Sequence, residues 1–226
     1  MPCVRTLAVV PNVVHCRVVR SGATVQGVII VHAGNRIDGP CRSTVRFPSS
    51  EIERVAIRVR EFFALVQPRV VVSAPASGAD LIVLAEALRA DIDVTVVLPI
   101  AREAFVEVSV ADGPSAVVWS ARFDSVLAAA TQRPDSEVIT LDFDPDSKWW
   151  FPANDRLLEI AESARRSPEW DKAGGAESVA ALVVRPLPTT DPPSVTDDLA
   201  AKAAAAGMVV FTLDPRPLAV SALSMT

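Results

Sequence analysis

The chain has 226 residues, 50% of them hydrophobic, and a mean hydropathy of +0.32, enough to bury a full α/β core in one domain without disulfides or a structural metal. A formal net charge of -5 and a pI near 5.1 argue against the broad electropositive footprint of a nucleic-acid binder, although a local basic pocket fits such a balance. No window approaches the roughly 18 uncharged apolar residues of a membrane span. The N-terminus has a short apolar stretch after Arg5 that Pro11 and Asn12 interrupt, with no small-residue cleavage site behind it, so a cytoplasmic protein is expected.

Residues 1–26 are the least legible segment. TLAVV and CRVV read as short strands joined near Pro11 and Asn12, forming a hairpin or an addition to a sheet edge. Cys3, Cys16 and Cys41, with His15 and His32, all fall early in the chain, but none has CxxC or HxxxH spacing. They read as reduced thiols and ordinary histidines rather than a metal site. His32 lies inside an apolar run and reads as a packed core residue.

From Gly27 the pattern sharpens. VIIVHAGNRID is an apolar strand that breaks at Gly34, which sets Asn35, Arg36 and Asp38 just beyond its carboxyl end, where ligands bind in open α/β sheets. Arg36 is suited there to hold a phosphate in bidentate fashion; the plain alternative is a surface arginine paired with Asp38. Ser50 with Glu53 reads as a capping box opening a helix through Ile52, Val55, Ala56, Val59, Phe62 and Phe63, which stops before Pro68.

Residues 69–99 read as one βαβ unit. The β-branched run Val70 to Ala74 suits a strand buried on both faces; Pro75 and Gly78 break it; Ser77 and Asp80 read as cap and N3 residue of a helix burying Leu81, Leu84, Ala85 and Leu88; Val94 to Leu98 is the next strand. A small-residue turn into a helix N-terminus presents backbone N–H groups and the positive end of the helix dipole, a site for an anion such as phosphate. ASGAD carries one glycine where a full dinucleotide fingerprint has three, and it is equally an ordinary capped turn.

Beyond Pro99, AREAFVEVSV reads as a helical turn closing over the sheet, residues 115–131 as a helix carrying Val118, Trp119, Phe123, Val126 and Leu127, and EVITLD as a strand. Asp142, Asp144 and Asp146 alternate as in a calcium loop, but Ser147 and Ala153 stand where that loop needs glycine and a bidentate glutamate, so calcium is rejected. Trp149, Trp150 and Phe151 suit anchoring of a loop better than stacking on a base. Asn154 reads as the cap of a helix through Leu157, Leu158, Ile160 and Ala161. SVAALVV is a buried strand; Ser194 or Thr196 caps an Ala-rich helix that Gly207 stops; MVVFTLD is the last strand.

GNRID, RFPSSE, SAPASGADLIVLAEAL, VTVVLPI, AFVEVSV and WSARF, in that order and spacing, resemble the SLOG superfamily, a Rossmann-like group that joins the lonely-guy nucleotide phosphoribohydrolases, the DNA-processing Smf proteins and many nucleotide-sensing domains. The likeness is closest to the sensing branch and covers residues 27–214. It implies a single Rossmann-like three-layer α/β sandwich with a mostly parallel sheet of about six strands, an N-terminal β appendage over residues 1–26 and a tail from 215 to 226. It also implies a pocket for a nucleotide or nucleotide derivative, lined by Gly34, Asn35 and Arg36 of the first loop, Ser77, Gly78 and Asp80 of the second, Glu86, and Thr189 and Thr190 of a late loop.

Two departures bear on function. Asn35 stands where the sensing branch usually has histidine. LPTTDPPSVTDD stands where the hydrolases carry a glycine-rich loop with a glutamate, and prolines withhold N–H donors, which speaks against hydrolysis. The resemblance thus implies a non-catalytic nucleotide sensor with no resident cofactor, acting on a protein effector and forming a homodimer, as members of the family often do. The alternatives are an N-glycosidic hydrolase of nucleoside monophosphates, with Glu86 or Asp191 as its carboxylate, and a single-stranded nucleic-acid binder, which the acidic balance disfavours.

Overall fold

Six strands form one all-parallel sheet in the order β4-β3-β2-β1-β5-β6, where β1 is Val28–Gly34, β2 Pro68–Ser73, β3 Asp93–Leu98, β4 Glu137–Thr140, β5 Ser178–Val184 and β6 Val209–Leu213. The computed structural model describes residues 27–39, 42–166, 178–187 and 193–216. The expected N-terminal strands, Cys3, His15, Cys16, Cys41, Thr189, Thr190, Asp191 and the chain beyond Arg216 lie outside them. Among the described residues six helices flank the sheet: α1 (Ile52–Val66), α2 (Ala79–Arg89), α3 (Arg102–Phe105), α4 (Ala116–Thr131), α5 (Trp150–Arg165) and α6 (Val195–Ala205). The architecture is the expected Rossmann-like α/β sandwich.

The uninterrupted β-branched runs are buried because both faces of the sheet are covered. On β1, Val28 and Ile30 join the core beneath α1, α2 and α4, while Ile29, Val31 and Ala33 join the core beneath α5 and α6. By the same alternation His32 faces α2. β4 has helix on fewer sides and is mostly exposed, as suits a short edge strand. Among the described residues no helix is long and apolar enough to cross a membrane.

Helix bodies fall where the periodicity places them, but three caps do not. A 3-10 turn, Ser49–Glu51, precedes α1 and absorbs Ser50, so Glu51 is the entering residue and no side chain caps the helix. Gly78, at φ 101°, rather than Ser77 leads into α2, again without a side-chain cap. Helix α5 begins at Trp150, because Pro152 sits in its first turn, where a missing N–H costs nothing. Asn154 is therefore inside the helix and nearly fully buried, its Nδ2 donating to Val195 O at 2.8 Å and Asp198 Oδ2 at 2.9 Å on α6. Ser194 does cap α6, in a reciprocal capping box with Asp197.

After α3 the chain widens into one π-helical turn, Val106–Val110, closed by Ala111 N–H to Val106 O at 2.8 Å. Trp149 is buried against Phe105, ring centroids 5.9 Å apart, so it anchors the loop that enters α5. The nearby Asp144 side chain accepts the Asp146 N–H in a local turn. Arg216 pairs with Asp214, and its backbone oxygen accepts a hydrogen bond from Arg54 of α1.

Candidate functional site

From β1 the chain proceeds through β2, β3 and β4 in one direction, whereas β5 and β6 lie on the other side of β1. The connections leaving β1 and β5 run to α1 and α6 on opposite faces, so the strand order reverses at this pair, and in open α/β sheets ligands bind beyond the carboxyl ends at such a point. Gly34 and Val184 form the last registered pair, and Asn35 N–H donates to Val184 O at 2.9 Å.

Two glycines bring the first and second loops into contact. A Cβ on Gly34 would lie 2.3 Å from Ala79 Cβ, so only glycine lets the start of α2 close onto β1. A Cβ on Gly78 would meet Asn35 O at 2.7 Å and Arg36 Cα at 2.8 Å, and its φ of 101° disfavours any other residue. Across this seam Ala79 N–H donates to Asn35 O at 3.2 Å, so the Asn35 backbone ties β5, β1 and α2 together.

Beneath the seam His32 and Asp80 meet. His32 Nδ1 lies 2.8 Å from Leu182 O; a carbonyl only accepts, so Nδ1 carries the proton. Nε2 then faces Asp80 Oδ1 at 3.2 Å, and neither atom has a hydrogen-bond partner elsewhere. The contact is close enough to share a proton but lacks hydrogen-bond alignment, so packing of β1 against α2 holds it. Burial pushes the Asp80 carboxyl above its ordinary range, against the opposing pull of His32, the Gly34 N–H and the Arg36 charge.

The turn into α2 is less open to an anion than its composition implies. Ser77 N–H donates to Ser109 O at 2.9 Å and Ala79 N–H to Asn35 O, so two of the backbone donors are taken by the chain itself. Arg36 is likewise engaged. Its Nη1 donates to Val108 O at 3.2 Å, and its Nη2 pairs with Asp112 rather than with Asp38. Asp38 Oδ2 instead accepts the N–H groups of Arg46 and Phe47, both at 2.8 Å, and stitches its own loop.

The fold thus gathers Gly34, Asn35, Arg36, Ser77, Gly78 and Asp80, as the strand-end rule requires, but not Glu86. Six residues after Asp80, Glu86 is about 9 Å along α2 and about 120° around it. It is buried toward α1, with Arg60 Nε at 3.4 Å and Arg89 Nε at 3.7 Å. Thr189, Thr190 and Asp191 fall outside the described residues. Two partners escaped the sequence reading. His32 carried a signal, since a polar residue in a run buried on both faces needs a polar neighbour; Asp112, 76 residues from Arg36, carried none. Among the described residues no three of His, Cys, Asp and Glu converge in a way that could hold a metal. No family model matches the chain, and no curated protein matches it in sequence.

Proposed function

We propose that this chain is a nucleotide-binding sensor domain of the SLOG type, taking a nucleotide or nucleotide-derived ligand at the carboxyl ends of β1 and β5 without hydrolysing it. The observation that carries the reading is Arg36, a partly exposed guanidinium at the end of β1, beside the point where the strand order reverses. Gly34 and Gly78 support it by fixing the loop that bears Arg36 against α2. The hydrolase alternative loses Glu86 as its carboxylate, since that side chain faces α1. The acidic balance weighs against nucleic acid. Output to a protein effector and self-association into a homodimer belong to the same proposal.

The test is a thermal-shift screen against AMP, ADP-ribose, NAD, cyclic dinucleotides and ribose 5-phosphate, with chromatography of every hit. A ligand confined to the folded state raises Tm according to its concentration over Kd, so micromolar binders at millimolar concentration register. A shift without turnover is expected; release of free base would turn the reading to the hydrolase. Arg36→Gln should weaken the hit by about 10- to 150-fold, the worth of a charge-assisted hydrogen bond. Its unliganded Tm should barely move, because the Arg36–Asp112 pair is exposed. Unchanged affinity would remove the pocket from this loop.

A further inference from the structure

Arg36 presents a donor edge that the protein fills only by half. The guanidinium has two edges suited to bidentate contact, one formed by Nε and Nη2 and the other by Nη1 and Nη2. Nη2 is paired with Asp112 Oδ1, whereas Nε is buried and without a hydrogen-bond partner. Nη1 is spent on Val108 O. A buried guanidinium N–H left unpaired is costly, and a single carboxylate oxygen on its neighbour does not relieve it.

The segment that supplies Asp112 is anchored below and loose above. Phe105, Ser109 and Val110 are buried, and Ser109 O is bonded to Ser77 N–H. Asp112 by contrast is about a third exposed, and the Gly113 position where a Cβ would stand lies 3.7 Å from Arg36 Nη2 in otherwise open space. Ser115 then turns at φ 61°, a left-handed conformation a serine adopts at a cost. The tip over 112–114 thus lies beyond the Ala111 N–H to Val106 O bond that closes the π-helical turn beneath it.

We infer that Asp112 is a tethered stand-in for the ligand's anionic group: it holds one end of the Nε–Nη2 edge of Arg36 in the empty protein, and a phosphate displaces it by spanning both donors. This rests on the proposed nucleotide site and adds its regulation. A tetrahedral phosphate offers two oxygens at the spacing of the fork and satisfies Nε, which Asp112 leaves bare. The exchange breaks an exposed ion pair, so Asp112 sets a mild threshold on binding and frees the 112–114 tip when the ligand arrives.

The test uses the full chain, with inorganic phosphate and AMP as probes, in wild type, Asp112→Asn and Glu107→Gln. Glu107 is an exposed acid of the same segment, so its variant removes an equal charge away from the described Arg36 contacts. Without ligand, NMR of the Arg36 side chain should show slower guanidinium rotation in wild type and in Glu107→Gln than in Asp112→Asn, where the Val108 O contact remains but the charge pairing is lost. On titration, Asp112→Asn should bind both probes about two- to fivefold more tightly than wild type, with Glu107→Gln unchanged. Rotation in wild type as fast as in Asp112→Asn, equal affinity of wild type and Asp112→Asn, or an equal gain in Glu107→Gln would each overturn the inference and leave the nucleotide site standing. Slower rotation in wild type than in Asp112→Asn, with no binding of either probe by any variant, would overturn the nucleotide site, and the exchange with it.

Discussion

Gly34→Ala tests the seam between β1 and α2 directly. The added methyl would stand 2.3 Å from Ala79 Cβ, 3.2 Å from Val184 Cβ and 3.3 Å from His32 Nε2. Carbon atoms rest at about 3.5–4.0 Å, so the first residue of α2 has to retreat by roughly 1 Å, having no side-chain torsion with which to turn aside. That retreat strains the Ala79–Asn35 hydrogen bond, already 3.2 Å, and separates His32 from Asp80. Overpacking costs about 1–3 kcal/mol and the lost hydrogen bond about 1 kcal/mol more, so urea unfolding should show a loss of about 2–4 kcal/mol. For a chain of this size that lowers Tm by roughly 4–16 °C. The cause is tested by Ala79→Gly, which alone costs about 1 kcal/mol as a helical glycine but removes the atom that clashes. The double variant should be more stable than the sum of the two losses by about 1–2 kcal/mol. Strict additivity, or a Gly34→Ala loss under about 0.5 kcal/mol, would refute the close approach.

The buried pair gives a pH-dependent prediction. The Asp80 carboxyl is raised by burial, so the stability it contributes is complete below the ordinary aspartate value of 3.8 and is lost as pH rises through its folded value. Asp80→Asn keeps the shape, offers an oxygen to Gly34 N–H and an N–H to His32 Nε2, and loses no proton. In melts from pH 4 to 8 the variant should match wild type near pH 4 and gain on it as pH rises; a variant less stable than wild type at pH 7 would mean an imidazolium–carboxylate pair instead. Asn154→Ala should cost about 1–3 kcal/mol in urea unfolding by leaving Val195 O and Asp198 without their donor. Asn154→Asp should cost more, since it sets a second carboxylate against Asp198; equal losses would mean that the α5–α6 contact is apolar in character.

Strands and helix bodies were legible because each needs only local pattern: unbroken apolar runs such as 70–72 and 179–184, and three- and four-residue spacing such as Val55, Ala56 and Val59. Three of the caps were not, although Ser194 was, because a polar side chain near a helix start has other uses. Asn154 serves a neighbouring helix, Ser50 lies within a 3-10 turn, and Gly78 takes the place given to Ser77 because the turn must pass under Asn35. At the site, the gathering of Arg36, Gly78 and Asp80 followed from strand-end geometry. What lies opposite each of them did not, since Leu182, Val108 and Asp112 are brought there only by the finished fold. Glu86 was misplaced because six helical residues turn a side chain away from its starting face.

The central strand has its two neighbours at very different distances along the chain. Val28 of β1 pairs with Pro68 on one side, but on the other with Ser178, across the 150-residue separation that also divides His32 from Leu182. Closing so long a loop is an entropic step paid before the contacts it brings, and parallel pairings of this kind fold slowly. During synthesis β1 to β4 can assemble while the β5-facing edge of β1 stays open, with its row of unpaired backbone groups and a His32 that lacks the Leu182 carbonyl fixing its ring. The same edge that organises the candidate site is thus the segment most exposed to mispairing until the last third of the chain has emerged.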